Sequence, residues 1–211
     1  MKKLDEKVFQ ELYQSYGERR DAIQKRLEDF SQVQPSQYFY ELVYCILTPQ
    51  SSAINAVKAV ERLQTRSFYE TPFDPAPVLA QKDFYIRFHK TKARLLLQLR
   101  ERSPEILAAL SDSKSTTVLR EWLVEHVKGF GYKEASHFLR NIGHHDLAIL
   151  DRHILKNLKR FGAVRRIPKT LTPKQYLKLE KQFHRFAEAV GIPLDELDLL
   201  FWSLETGEIL K

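Results

Sequence analysis

The sequence predicts an all-α fold. Apolar residues recur at intervals of three and four through most of the 211 residues, and few stretches alternate as a half-buried strand would. Glycines and prolines fall between these periodic segments, where they end one helix and permit the next to begin. With 43% hydrophobic residues the chain can bury a core, and its length indicates one large domain or two small ones that share a cleft.

Three short helices are predicted in succession, at 117–127, 132–142 and 151–161, each with its apolar residues on one face. Asp151 stands at the start of the third helix, where its carboxylate can accept the free N–H groups of the first turn. A glycine follows each helix, because a left-handed terminal residue costs little when it has no Cβ atom. The remaining predicted elements are a loop at 71–77, a connector at 168–173, and helices that end near Val190 and cover 195–202.

The chain has a single cysteine, Cys45, within an apolar run. An internal disulfide, a cysteine-based zinc site and a four-cysteine iron-sulfur cluster are therefore excluded. No pair of the seven histidines has a carboxylate-supported metal spacing, so we expect neither a catalytic metal nor another cofactor. We find no amino-terminal signal and no apolar run near the roughly 20 residues of a bilayer span, and expect a cytoplasmic or nucleoid-associated protein.

Positive charge is unevenly distributed along the chain. The formal net charge is +7, and the segment 151–187 alone carries 11 Lys and Arg against two acids, whereas 188–208 has six acids and no base. Such a run is compatible with ordinary solvated helix faces. It also fits a basic face that follows a phosphate backbone by releasing counterions.

The segment 127-VKGFGYKEA-135 predicts a helical hairpin with a turn of three or four residues. Gly129 and Gly131 would permit positive φ and a close backbone approach, while N–H groups at the second helix's start would face outward as an anion-binding nest. Phe130 is expected to pack between the two helices and stiffen the turn. Taken alone, the pattern fits a purely structural corner between helices as well as a phosphate site.

Lys133 is electrostatically misplaced for stability. It stands in the first turn of the second helix, where the dipole disfavours a cation by a few tenths to about 1 kcal/mol. A partly desolvated lysine can lose its proton, and a neutral amine is a nucleophile able to form a Schiff base. Asp151 follows 18 residues later, and an isolated Asp at a helix start is usually only a cap. A lysine and a carboxylate at adjacent helix starts, beside a phosphate-binding hairpin, form a more specific combination.

The pattern G-x-G-x-K-x-A at 129–135, followed by D-R-H at 151–153, resembles the helix-hairpin-helix DNA glycosylase/lyase superfamily. Within it, the chain is similar to the archaeal-type, or type 2, 8-oxoguanine DNA glycosylases. The matching segments are 46-ILTPQSSA-53, 86-IRFHKTKA-93, 132-YKEASHFLRNIG-143 and 198-DLLFWSLETGEILK-211. The chain lacks the carboxy-terminal cysteine cluster of the endonuclease III branch and has no room for the β-domain of eukaryotic-type enzymes.

The resemblance implies base extrusion followed by attack of Lys133 on C1′, with Asp151 stabilising the developing sugar cation. The hairpin residues Gly129, Phe130 and Gly131, together with Arg152, would contact DNA. Gln50 would enter the duplex beside the orphaned base, with Phe88 or His89 assisting. Without the resemblance, Gln50 is equally well explained as a polar loop residue.

The resemblance also implies a base pocket near the carboxy terminus. Trp202 would stack on the flipped base, Lys211 would help detect the changed N7/O8 edge, and Asp198 is a weaker candidate for a polar contact. Without the family, Trp202 would be assigned to the core and Lys211 to a solvated tail.

We therefore expect a helical barrel at 42–135 that carries the hairpin, and a second subdomain formed by 1–41 and 136–211, with the catalytic pair at the cleft. The expected partner is double-stranded DNA containing oxidised guanine, bound by a monomer, with no membrane involved. One alternative is a glycosylase/lyase for another lesion, such as an oxidised pyrimidine. The others are a non-catalytic hairpin module that binds only the DNA backbone, and a purely structural helical scaffold.

Overall fold

The computed structural model describes residues 6–111 and 115–210, and within these ranges it contains ten α-helices and no β-strand. The all-α prediction is confirmed. The helices are α1 (Glu6–Ser31), α2 (Tyr38–Leu47), α3 (Ala53–Thr65), α4 (Ala76–Leu79), α5 (His89–Ser111), α6 (Thr116–His126), α7 (Tyr132–Asn141), α8 (Arg152–Arg160), α9 (Pro173–Val190) and α10 (Leu194–Thr206). Short 3₁₀ turns occupy Pro35–Gln37 and Lys82–Phe84.

The chain divides into two compact units. The first is Val33–Ile142. The second combines the described residues up to Gln32 with those from Gly143 onward. The boundaries expected from the sequence were 42 and 135. All of α7 falls within the first unit because it packs on both α2 and α6.

The first unit is built around α2, the sequence YFYELVYCIL, which is apolar on all sides and therefore central. Eight of its ten residues are buried against α3, α5 and α7, including Cys45. Each fully buried large apolar side chain contributes about 1.5–3 kcal/mol to the free energy of unfolding. The buried Asn141 Nδ2 of α7 donates to Glu41 Oε2 of α2 over 3.1 Å, which fixes α7 to this core.

The second unit packs α10 against α1 and α8. Its core contains a stack in which Phe201 lies between Phe161 and Phe183, with centroid separations of 5.3 and 5.8 Å. The Tyr16 hydroxyl of α1 donates to Glu196 of α10, and burial together with that carboxylate raises the pKa of Tyr16 to about 12.

No helix in the described part of the chain combines the length and apolar character needed to cross a membrane.

Candidate active site and nucleic-acid interface

Only one of the two glycines in the hairpin turn has a backbone conformation that requires glycine. Gly129 has φ +97°, and a Cβ atom there would lie 2.9 Å from Leu95 Cδ1 of α5. Gly131 has φ −110°, which any residue can adopt. The prediction of positive φ is therefore confirmed for Gly129 and wrong for Gly131, where the chain is already extended as it enters α7.

An amide at the start of α7 already has a partner. The N–H of Gly131 donates to Glu134 Oε2 over 3.1 Å, so the third residue of the helix satisfies one of its free donors. The sequence predicts that these N–H groups face outward, whereas this one points to a side chain of its own helix. A phosphate that uses this amide must displace the Glu134 carboxylate.

The hairpin is held rigidly by contacts between its helices. Phe130 is buried, with its ring 6.4 Å from that of Phe138, as expected for a side chain packed inside the hairpin. The Tyr132 hydroxyl donates to Glu121 Oε2 over 2.6 Å, and the guanidinium of Arg120 lies 5.3 Å from the Tyr132 ring centroid. Because its side chain is buried, Phe130 would contact DNA through its backbone.

Lys133 is the second residue of α7, and its side chain is partly buried. Its Nζ atom lies 3.5 Å from Glu134 Oε1, a separation compatible with an ion pair. The amine therefore has access to solvent on one side and a carboxylate beside it on the other.

Lys92 is a second lysine near Lys133, and sequence reasoning did not select it. Its Nζ atom donates to Leu47 O and Pro49 O, each over 2.7 Å, and to Ser51 Oγ over 3.1 Å. Burial, and then the positive charge of Lys133, lower the pKa of Lys92 to about 8. Lys92 therefore lies close enough to Lys133 for the positive charge of Lys133 to lower its pKa.

Three exposed residues of this unit have strained backbones, Ser67 with φ +51° and two that the sequence assigns to DNA contact. Gln50 has φ +58° and Phe88 has φ +59°, values that non-glycine residues seldom adopt. The side chain of Phe88 is 49% exposed, with the Arg87 guanidinium 5.0 Å from its ring centroid. His89 follows at the start of α5, with its ring edge against Tyr85 at a centroid distance of 5.5 Å. Strain with exposure is typical of residues held ready for a ligand.

In the second unit, Asp151 forms the predicted N-cap of α8. Its Oδ1 atom accepts the N–H groups of His153 and Ile154, over 2.8 and 2.9 Å. Among residues 6–111 and 115–210, no hydrogen-bond donor contacts its Oδ2 atom. One carboxylate oxygen is therefore fixed by the helix while the other is open to a ligand.

The chain enters Asp151 through a buried segment without regular secondary structure, Leu147 to Leu150. Its backbone N–H and C=O groups form hydrogen bonds with buried side chains. Glu180 accepts the Ala148 N–H over 3.1 Å, and the Tyr176 hydroxyl accepts the Leu150 N–H over 3.2 Å while donating to Ala148 O over 2.5 Å. This scaffold fixes the position of the Asp151 backbone.

Asp198 belongs to the same scaffold. Its Oδ2 atom accepts the Ile149 N–H over 3.2 Å, and the residue is buried. The structure thus gives it a supporting contact behind Asp151, and direct contact with a base stays a prediction. Trp202 is half-buried on α10, Arg152 is exposed beside Asp151, and Lys211 lies outside the described residues.

Comparison with known proteins decides the family. A family model described as 8-oxoguanine DNA glycosylase matches residues 23–192.

The chain belongs to the 8-oxoguanine DNA glycosylase family.

Relatives named 8-oxoguanine DNA glycosylase/AP lyase include one from Fusobacterium nucleatum, 40% identical over 96% of this chain and 97% of its own length. Another, from Methanocaldococcus jannaschii, is 36% identical over 97% of this chain and 98% of its own. The M. jannaschii enzyme has been solved with a 15mer DNA containing 8-oxoguanine. That structure superimposes with a TM-score of 0.83 at 34% identity, covering 95% of this chain and 99% of the other. The Thermotoga maritima enzyme superimposes with a TM-score of 0.85 at 32% identity, covering 98% and 99%.

Lys92, Ser51 and Glu134 join the site residues that the motifs of the sequence indicated. Lys92 stands inside the matching segment IRFHKTKA, so its position was visible in the sequence. Its burial and its three acceptors were not, because two of those acceptors are backbone carbonyls more than 40 residues away along the chain.

Proposed function

We propose that this family member is a bifunctional DNA glycosylase/AP lyase that excises 8-oxoguanine through a Schiff base on Lys133. The observation that carries the proposal is the position of Lys133, a partly buried amine in the first turn of the hairpin's second helix, directly after the glycine turn. The similarity to a relative solved with 8-oxoguanine DNA supports the substrate.

Base extrusion comes first, because a base within a duplex is out of reach and must be unstacked at a cost of a few kcal/mol. Gln50 and Phe88 are exposed on turns of the same unit as Lys133. We assign them to the duplex, where they would occupy the gap left by the extruded nucleotide. His89 would support Phe88, and the hairpin at Gly129–Gly131 and Arg152 would hold phosphates.

The chemical step begins with the neutral Lys133 amine. Its Nζ atom bonds to C1′ as the glycosidic bond breaks, and the base leaves with the bonding electrons and takes up a proton. Loss of the nitrogen proton and opening of the C1′–O4′ bond give the imine. Removal of a C2′ proton then expels the 3′ phosphate and cuts the strand.

Asp151 would stabilise the positive charge that develops on the deoxyribose and assist proton transfer. The open Oδ2 atom suits this role, because Oδ1 already serves α8. Both side chains must reach one nucleotide for the reaction to proceed. Trp202 would stack on the extruded base, and Lys211 would help distinguish 8-oxoguanine from guanine.

Excision from a labelled duplex tests the assignment. Wild type should release 8-oxoguanine opposite cytosine and cut the strand, and Lys133→Gln should do neither above background, because an amide is not a nucleophile. The free base would be measured by mass spectrometry and the cut strand by electrophoresis. Release from a duplex with an oxidised pyrimidine, with none from the 8-oxoguanine duplex, would contradict the assigned substrate while keeping the chemistry.

A further inference from the structure

Lys92 is a buried lysine to which the chemistry above gives no role. It lies at the end of the first turn of α5 and is only 5% exposed. That place is unfavourable for a cation, because the helix dipole is positive there and burial removes the ammonium from water. A lysine at such a place needs compensating acceptors.

The acceptors all belong to the end of α2 and the turn that follows it. Leu47 O is one of the last carbonyls of α2, which the helix itself cannot satisfy. Pro49 O and Ser51 Oγ belong to the turn. The three bonds use all three donors of an ammonium group.

The turn held in this way is the one that presents Gln50. It is closed by a hydrogen bond of 2.9 Å from the Ser51 N–H to Thr48 O. Pro49 at its second position and a positive φ at Gln50, its third, are features of a type II turn. That third position favours glycine, so the strained Gln50 backbone depends on the surrounding bonds.

Ser51 links the Lys92 ammonium to the second strained turn, which contains Phe88. Its Oγ atom accepts the Arg87 N–H over 3.1 Å, in addition to the bond from Lys92. Phe88 follows directly, and its carbonyl accepts the Lys92 backbone N–H over 3.0 Å. Lys92 and Ser51 therefore tie together the turns of Gln50 and Phe88.

We propose that Lys92 is a positioning residue for base extrusion, whose ammonium holds the Gln50 and Phe88 turns in one preformed arrangement. The proposal rests on the proposed function, because it assigns Gln50 and Phe88 to the duplex. Lys92 itself would touch neither the sugar nor the base. It acts through the two turns.

The test separates extrusion from chemistry by using two duplexes. One carries 8-oxoguanine paired with cytosine, and the other carries an abasic site, where no base has to be unpaired. Lys92→Met should slow single-turnover excision on the first by on the order of 100-fold, as expected for misplaced reacting groups. Borohydride trapping on the second should stay within about threefold of wild type, since the unpairing cost is absent.

Ser51→Ala provides a milder variant should Lys92→Met fold poorly. It should lower excision from the paired lesion selectively as well, because it removes the bridge between the turns. Lys92→Arg, which keeps a buried donor group, should recover part of the excision rate. In a double-mutant cycle, Gln50→Ala should add little to Lys92→Met if the lysine acts through the Gln50 turn. Lys82→Met removes an exposed lysine of the same unit and should match wild type on both duplexes.

Equal slowing of Lys92→Met on both duplexes, in protein with wild-type helicity and melting, would overturn the proposal, because it would place Lys92 in the chemistry. Unchanged rates in both Lys92→Met and Ser51→Ala would overturn it too. Absence of excision and of trapping in wild type is a different result, which would refute the proposed function itself.

Discussion

At the scale of single residues, Asp151 has two roles that can be separated. Its Oδ1 atom caps α8, and its Oδ2 atom is open to a ligand. Asparagine caps helices about as well as aspartate but carries no charge. Asp151→Asn should therefore keep the stability of the protein and lose the electrostatic contribution to catalysis.

We predict that Asp151→Asn changes the free energy of unfolding by less than about 0.5 kcal/mol and slows excision by about 100-fold or more. Asp151→Ala should in addition lower the free energy of unfolding by about 1 kcal/mol, because α8 loses its cap. Urea unfolding and single-turnover excision measure the two effects. If Asp151→Asn excised the base at the wild-type rate, Asp151 would act only as a helix cap.

The hairpin glycines form a matched pair for a stability test. Gly129→Ala should destabilise the protein by about 1–2 kcal/mol, because φ +97° is strained for any side chain and a Cβ atom would meet Leu95. Gly131→Ala should cost less than about 0.5 kcal/mol, since its φ is ordinary and the nearest atom is the flexible end of Glu134. Thermal and urea unfolding would decide, and equal losses at both positions would contradict the assigned turn geometry.

At the scale of elements, α9 presents the basic face that charge counting indicated. Its exposed cations recur at spacings of four, three and four residues, so they lie on one stripe of the helix. The stripe consists of Lys174, Lys178, Lys181 and Arg185. Within the described ranges none of the four forms an ion pair, which leaves their charges available to a polyanion.

If this stripe binds phosphates, its removal should weaken the salt dependence of DNA binding. The double variant Lys178→Gln/Lys181→Gln should flatten the log–log slope of affinity against salt by up to about 0.9 for each phosphate that the protein no longer neutralises. Lys25→Gln/Arg26→Gln removes the same charge from α1, where both residues already pair with Glu28 or Asp29. Titrations of an undamaged duplex at several salt concentrations would measure both slopes, and identical slopes would contradict phosphate binding by α9.

Helix positions could be predicted from the sequence, whereas contacts between distant segments could not. The hairpin helices were predicted at 117–127 and 132–142 and lie at Thr116–His126 and Tyr132–Asn141, because periodicity, caps and glycines are local signals. The contact of Asp198 with Ile149 was not predictable, since the two residues stand 49 positions apart. The same holds for the bonds of Lys92.

At the scale of the whole molecule, Lys133 lies in the unit Val33–Ile142 and Asp151 in the unit built from both chain ends. Lys133 is fixed as the second residue of α7, beside Glu134. Asp151 is placed by buried polar contacts of its own unit, because it follows the segment held by Glu180 and Tyr176. The family motifs identify these two residues from the sequence. The contacts that support Asp151 become visible only once distant segments of its unit have packed.

Lys133 is proposed to form a covalent imine with damaged DNA. Borohydride trapping on an end-labelled duplex with one 8-oxoguanine opposite cytosine tests it most directly, with an undamaged duplex as the control. Wild type should give a covalent complex only on damaged DNA, peptide mapping should place the adduct on Lys133, and Lys133→Gln should give none. A trapped complex that persists in Lys133→Gln, or an adduct mapped to another lysine such as Lys92, would contradict the assignment of Lys133 as the nucleophile.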